Sequence, residues 1–422
     1  MLPRPDWGGT KLEPLNTDRD RAHFLLLNIG HFLDHLFTLV FATVAALVLS
    51  REWGLSYGTL LAYATPGFFA FGLFSLPAGW LADRWSREGM MVIFFVGIGL
   101  AAIATGFATS PLQLGIGLFV IGVFAAIYHP VGLAIVTAKW RNTGMRIAVN
   151  GVFGNLGVGG AALITGVLID RGGWRIAFIA PGIFSIGIGA LYAYLRWPEL
   201  KAGQPSAKAA TVAAALNPNF KALLLRVSII VFATTALSSI IFQSTTFALP
   251  KIFDEKLQGV ARWLSGSQGS GGDIATTIGG LAFIVFAIAS MAQLIVGKLL
   301  DRHGPRQVFI GVALIQVVFF ALMPFVADGW ALAAALGFML GAFGQIPIND
   351  YMIGKMATGP VRARMYGVRY VVSFTVLAAA LPLIAFVHDA WGFDRLFAIL
   401  SVTAFLTLII VARLPRQMPA PG

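Results

Sequence analysis

The sequence contains no cysteine and few charged residues. The lack of cysteine excludes disulfide frameworks and thiolate metal sites. Asp, Glu, Lys and Arg together make up only 11% of the 422 residues, whereas 58% are hydrophobic and the mean hydropathy is +0.81. Such a chain has too few polar groups to coat a soluble globule, so an ordinary soluble protein is excluded and a bilayer is its expected surroundings.

The sequence also lacks the local motifs of common enzymes. It contains no H-E-x-x-H helix, no G-x-S-x-G elbow and no phosphate-binding glycine loop followed by Lys. These absences argue against a membrane-embedded enzyme, and we expect neither a cofactor nor a metal. The polar opening residues precede no small-residue cleavage site after an apolar core, so we expect no removable signal peptide.

Long apolar runs are abundant. We predict twelve transmembrane helices, because each run is about 20 residues long and can cross a hydrocarbon core of about 30 Å. The runs are centred near Leu39, Phe71, Val96, Val123, Ala161, Ile186, Thr234, Ile288, Gln316, Met339, Val376 and Phe405.

The net charge of +12 follows from topology. With alternating helices, roughly three quarters of the Lys and Arg residues fall on the side of the N-terminus, which predicts that both termini are cytoplasmic. We therefore expect an integral protein of the bacterial inner membrane and no nucleic-acid partner.

The two halves of the chain resemble each other. The stretch "GWLADRWSR" from Gly79 returns as "GKLLDRHGPR" from Gly297, and "GWRIAF" from Gly173 returns as "WGFDRLF" from Trp391. Both pairs are about 220 residues apart, which indicates an internal duplication. We predict an N-terminal bundle over 1–196, a cytoplasmic linker over 197–220 and a C-terminal bundle over 221–422.

The repeated loop resembles the signature of the major facilitator superfamily. The resemblance implies an all-α membrane protein of twelve helices in two pseudo-symmetric six-helix bundles. It also implies that the two loops form a gate latch when the protein faces outward. The predicted gating residues are Gly79, Asp83, Arg84, Gly297, Asp301 and Arg302.

A narrower resemblance concerns "AAIYHPVG" in the fourth run, "RIAVNGVFGNLGVGGAAL" in the fifth and His35 in the first. These stretches are similar to the fosmidomycin-resistance branch of the superfamily, which implies a drug exporter.

Ionisable residues inside the apolar runs are the functional candidates. Asp34 and Asp350 are the acidic residues that lie well within a predicted span. On a helical wheel, Asp34 shares one face with His31 and His35, so we predict a proton-coupling site at these three residues. The alternative is a purely structural role, in which Asp34 is a buried partner of His31 or of an arginine.

Further polar residues are predicted to line a substrate cavity. These are Asn28, His129, Arg146, Asn150, Gln243, Asn349, Asp350, Arg369 and Tyr370. Two structural alternatives remain open: His129 can make a helix-to-helix hydrogen bond, and Asp350 can form an ion pair with Arg369.

We therefore expect a secondary active transporter that exports a small organic molecule in exchange for protons by alternating access. The alternative is a proton-coupled importer of a small organic anion, with Arg146 and Arg369 binding the anion. The expected partners are the small-molecule substrate, protons and membrane lipid, and we expect a monomer. A receptor or scaffold is disfavoured by the duplicated loop.

Overall fold

The computed structural model describes residues 17–140, 143–202, 218–265, 273–356 and 359–415, and helices account for the regular structure of these ranges. Within these ranges, ten helical segments are long and apolar enough to cross a membrane. They are α1 Asp18–Glu52, α2 Tyr57–Arg84, α3 Arg87–Gly106, α4 Pro111–Ala125 with Tyr128–Lys139, α5 Thr143–Gly172, α6 Trp174–Leu195, α7 Pro218–Lys256, α8 Ile274–Leu322, α9 Asp328–Gly344 with Ile346–Met356, and α10 Gly359–Val411. The predicted all-α membrane protein is confirmed.

The helices α8 and α10 are much longer than a membrane is thick. A straight helix of 49 residues, the length of α8, would extend about 74 Å, more than twice a hydrocarbon core. Each contains one residue outside helical geometry, Gly304 with φ 76° in α8 and Gly392 with φ 74° in α10. Only glycine adopts this geometry readily. Each long element thus comprises two helices joined at a glycine, and the count of twelve spans stays a prediction.

A third glycine, Gly173 between α5 and α6, has nearly the same backbone geometry as Gly392. Its φ and ψ are 80° and 169°, against 74° and −177° at Gly392. Both close a D-x-x-G stretch, which begins at Asp170 in one half and at Asp389 in the other. The backbone therefore makes Gly392 the equivalent of Gly173. The sequence comparison paired Trp174 with Trp391, and the two alignments of the halves differ by two residues.

The two halves of the chain meet along two pairs of helices. Helix α5 packs against α8, and α2 packs against α10. At the first contact Gly166 lies against the backbone of Ala275, and Gly279 lies against the backbone of Ala162. A methyl group at either glycine would overlap the facing backbone, so small residues set the close approach of the two halves.

The ends of the helices define two faces of the molecule. We name the end that carries the loops of Asp83 and Asp301 the motif face, and the opposite end the far face. On the far face, Oδ2 of Asp170 accepts a hydrogen bond of 2.6 Å from the backbone N–H of Thr276 at the start of α8. Asp170 thus caps a helix of the other half of the chain.

The duplicated aspartate makes the equivalent contact. Asp389 Oδ1 accepts a 3.0 Å hydrogen bond from the backbone N–H of Gly58, and Oδ2 accepts one from the Ser56 hydroxyl, at the start of α2. A third link across the halves joins Arg51 to Asp254, with a nitrogen-to-oxygen distance of 3.3 Å. We name Asp170 and Asp389 with their backbone donors the crossed caps. Together with the Arg51 ion pair they hold the far face closed.

The predicted linker, 197–220, falls mostly outside the described residues. Its start forms a short helix, Trp197–Ala202, and α7 begins at Pro218. Residues 203–217 lie outside the described ranges.

Candidate functional site

A cluster of three imidazoles and one carboxylate lies inside the N-terminal half. His31, Asp34 and His35 come from successive turns of one face of α1, as their spacing predicted, and His129 comes from α4. The ring centroids of the three histidines are 5.0 to 5.5 Å apart. Asp34 is 0% exposed, and its Oδ2 lies 3.4 Å from Nε2 of His129. The sequence therefore identified all four members of this cluster, which we name the histidine cluster.

The break in α4 places His129. The helix stops at Ala125 and resumes at Tyr128. Pro130 has no N–H, so the carbonyl one turn earlier loses its helical donor. The irregular turn at Ala126 and Ile127 is followed by Tyr128 and then by His129.

A buried hydrogen-bond network fixes one side of the cluster. The Nδ1 nitrogen of His31 donates to the backbone carbonyl of Asn150, at 2.8 Å. The side-chain amide of Asn150 donates to Asn28, at 2.9 Å, and to the hydroxyl of Tyr128, at 2.8 Å. Tyr128 in turn donates to the carbonyl of Leu27, at 2.7 Å. Asn28 and Asn150, predicted as cavity residues, thus connect α1, α4 and α5 beside the cluster. Tyr128 was not predicted, since nothing distinguishes one tyrosine in an apolar run.

Replacing Tyr128 with Phe should destabilise the protein. The change leaves the Leu27 carbonyl without its buried donor and removes a partner of Asn150, which costs about 1–3 kcal/mol. Thermal unfolding of the purified protein in detergent measures the effect. The matched control is Tyr194→Phe, because Tyr194 on α6 is 78% exposed. Equal melting temperatures for the two variants would contradict the structural role of the network.

A cavity of about 360 Å³ adjoins the cluster. It lies between α2, α4 and α10, and its lining includes Phe69, Leu73, Leu76, His129, Pro130 and Val371. Two hydroxyls also line it, but Ser75 donates to the carbonyl of Phe71 and Thr375 to that of Val371. His129 therefore presents the main polar surface among the described lining residues.

In the C-terminal half the predicted residues lie apart from this cavity. Asn349 accepts a hydrogen bond of 3.1 Å from Thr234, and Gln243 on α7 is half-buried. A neighbouring network that was not in the predicted set joins Gln316 to Gln345 and Gln345 to the carbonyl of Ser238. These buried amides tie α7, α8 and α9 together, which is a packing role.

The charged candidates of this half are paired. Arg369 forms an ion pair with Asp350, the structural alternative considered above.

In the N-terminal half, the guanidinium of Arg146 lies 5.3 Å from the ring centroid of Phe24. The side chain of Tyr370 lies outside the described part of the structure.

The charged residues of the predicted gating set lie exposed at the motif face, and its two glycines are half-buried. Arg87 donates to Asp83 at 2.7 Å, four residues away, and the Arg84 guanidinium lies 4.6 Å from the ring centroid of Trp80. Gly79 faces Pro130, as close as 3.3 Å for an added Cβ. In the second copy, Asp301 and Arg302 are exposed and Gly297 faces open space. The contact of Asp83 with Arg87 lies within its own half of the chain, and the gate latch stays a prediction.

The family was identified by comparison with known proteins. The model of the Major Facilitator Superfamily matches residues 27–288 and 270–422. The chain belongs to the Major Facilitator Superfamily. The prediction of an integral membrane transporter is thereby confirmed. The resemblance to the fosmidomycin-resistance branch stays a prediction.

Relatives with different names align over most of the chain. The gallate transporter of Pseudomonas putida is 26% identical over 86% of this chain and 85% of its own length. The multidrug resistance protein MdtG of Salmonella arizonae is 27% identical over 78% and 79%. The crystal structure of a D-xylose-proton symporter superimposes with a TM-score of 0.71 over 95% of this chain and 99% of that one. At 13% identity, this last likeness shows the fold alone.

Two further curated relatives match over only 36% and 24% of their own length.

Proposed function

We propose that this superfamily member is a proton-coupled exporter of small organic molecules that works by alternating access. The observation that carries the proposal is the 360 Å³ cavity, whose lining is mostly apolar and whose main polar group, His129, lies directly beside the buried Asp34. A substrate in the cavity would therefore lie next to a carboxyl group that can exchange a proton.

The lining favours a substrate with a large apolar body. The described lining residues include no Lys, Arg, Asp or Glu, so a fixed ionic group on the substrate would be desolvated without a partner. Phe69, Leu73 and Leu76 line the cavity and are each more than half exposed. They lie in the middle of α2, at the depth of the hydrocarbon core, so an apolar substrate could reach the cavity from the membrane.

The conformation fits a transporter open toward one side. The crossed caps close the far face, while the charged gating residues are exposed at the motif face. If the motif face is cytoplasmic, as the distribution of Lys and Arg predicts, this conformation faces inward. An exporter loads its substrate in this state.

Proton coupling is proposed for Asp34 with His31 and His35. The carboxyl is fully buried, and neither of its oxygens has a hydrogen-bond partner of good geometry among the described residues. Such a group is costly inside a membrane and is retained where it serves transport.

The gallate transporter supports the alternative, import of an organic anion. The pairing of Arg369 with Asp350 and the position of Arg146 over Phe24 weigh against it, because neither guanidinium lines the described cavity.

A growth-inhibition panel in a pump-deficient host tests the proposal. Cells that express the protein should grow at severalfold higher concentrations of uncharged lipophilic drugs than cells with an empty vector, and lipophilic cations serve as the comparison. The panel includes fosmidomycin, and expression is checked by immunoblot. If no compound gives resistance while labelled gallate accumulates in the cells, the exporter proposal is wrong and import is favoured.

A further inference from the structure

The three rings of the histidine cluster lie close enough together for small ring rotations to bring one nitrogen of each to a common metal ion. A tetrahedral Zn²⁺ ion lies about 2.0–2.1 Å from each imidazole nitrogen, which places ring centroids about 5 Å apart. The observed centroid distances are 5.0 Å for His31 and His35, 5.2 Å for His31 and His129, and 5.5 Å for His35 and His129. A ligand nitrogen from each ring lies within 4.8 Å of the other two.

The hydrogen bond of His31 orients it as metal-binding histidines are oriented. Its Nδ1 contacts the Asn150 carbonyl at 2.8 Å, and a carbonyl only accepts, so Nδ1 carries the hydrogen. The Nε2 nitrogen then keeps its lone pair. It is buried and has no hydrogen-bond partner among the described residues. A backbone carbonyl bound to the second ring nitrogen is the usual outer support of a histidine ligand.

Asp34 supplies the negative charge that a cation site needs. Its two oxygens are buried without a hydrogen-bond donor of good geometry in the described part of the chain. Oδ2 lies 3.4 Å from the Nε2 nitrogen of His129, so the carboxylate adjoins the imidazoles. One adjacent carboxylate reduces the net charge of a dication held by three neutral imidazoles to +1.

An access route leads to the cluster. The His129 side chain is 19% exposed and lines the 360 Å³ cavity, whereas Asp34 behind it is 0% exposed. An ion in the cavity would meet His129 first. The site is assembled from α1 and α4: His31 and His35 are four residues apart on one face of α1, and the fold brings in His129 from about 100 residues further along the chain.

We propose that His31, His35 and His129, with the carboxylate of Asp34 beside them, bind a divalent transition-metal ion of the kind that prefers imidazole, with Zn²⁺ as the probe. This inference goes beyond the proposed export and does not depend on it. It revises the expectation from the sequence that the chain has no metal site. Where the export proposal also holds, a bound ion occupies the coupling residues and should inhibit transport.

Equilibrium dialysis of the full-length protein against Zn²⁺ tests the site. The protein is purified in detergent through a tag without histidine, and bound metal is counted by mass spectrometry. We expect one Zn²⁺ per chain, and at least about tenfold weaker binding in His35→Asn and in His129→Asn. The matched control is His303→Asn, because His303 is exposed in α8, outside the cluster, and should leave binding unchanged.

Binding of Co²⁺ to the same preparation reports the geometry, since a tetrahedral nitrogen and oxygen site gives characteristic visible absorption. Size-exclusion profiles establish that the variants are folded. Substoichiometric binding by the wild type, or equal binding by the wild type and both folded cluster variants, overturns the metal site. Zinc binding without any resistance phenotype would leave the site standing and refute export. Resistance without zinc binding would do the reverse.

Discussion

Asp34→Asn should abolish resistance to every compound that the wild type exports, while the protein still folds. Asparagine has nearly the same shape as aspartate but cannot exchange a proton, so it removes coupling without opening a cavity. Because Asp34 is fully buried and lacks a hydrogen-bond donor of good geometry in the described residues, the neutral amide should not destabilise the protein. Growth inhibition with the most strongly exported compound of the panel measures the effect.

Asp18→Asn is the matched control for this prediction. Asp18 begins the same helix, and its side chain is 99% exposed. The control should keep full resistance, and Asp34→Glu, which keeps an exchangeable proton, should keep part of it. Full resistance in Asp34→Asn at matched expression would show that the coupling proposal is wrong.

Removing both crossed caps should open the far face. Asp170→Ala with Asp389→Ala takes away the acceptors for Thr276 and Gly58. Each helix cap contributes about 0.5–2 kcal/mol, so the double variant should shift the equilibrium between conformations by roughly one to two orders of magnitude. Gly58→Ala should act in the same direction, because the added methyl would overlap the Asp389 carboxylate.

The lack of native cysteine makes this opening measurable with spin labels. Cysteines placed at Ala62 on α2 and Ala390 on α10 flank one far-face groove from the two halves, and both positions are exposed. Double electron-electron resonance should report a longer distance in the double variant. The control is Asp394→Ala, which removes an exposed ion pair with Lys256 inside one half. Distances that match those of the control would rule out the caps as a latch.

The histidine cluster could be predicted because its signals are local. His31, Asp34 and His35 recur at helical spacing, and a proline follows His129, so periodicity and one helix-breaking residue marked all four. The all-α fold followed from the length and apolar character of the runs. Neither inference required knowledge of which helices are neighbours.

The crossed caps could not be predicted, because they join residues that are far apart in the sequence. Asp170 and Asp389 looked like ordinary acidic residues at helix ends, and their donors lie 106 and 331 residues away. The ten spans differ from the predicted twelve because Gly304 and Gly392 join neighbouring helices without an intervening loop. The sequence left open whether Arg369 binds the substrate or pairs with Asp350, and the fold shows the pair.

The crossed caps also bear on how the protein is made. The donor of one cap, Gly58, is synthesised 331 residues before its acceptor, Asp389. During translation the start of α2 therefore enters the membrane without its partner, and its free N–H groups depend on Ser56 and water until the second half arrives. A ribosome that stalls before Asp389 releases a chain whose far face cannot close. Closure of the far face by the crossed caps therefore requires both halves of the chain.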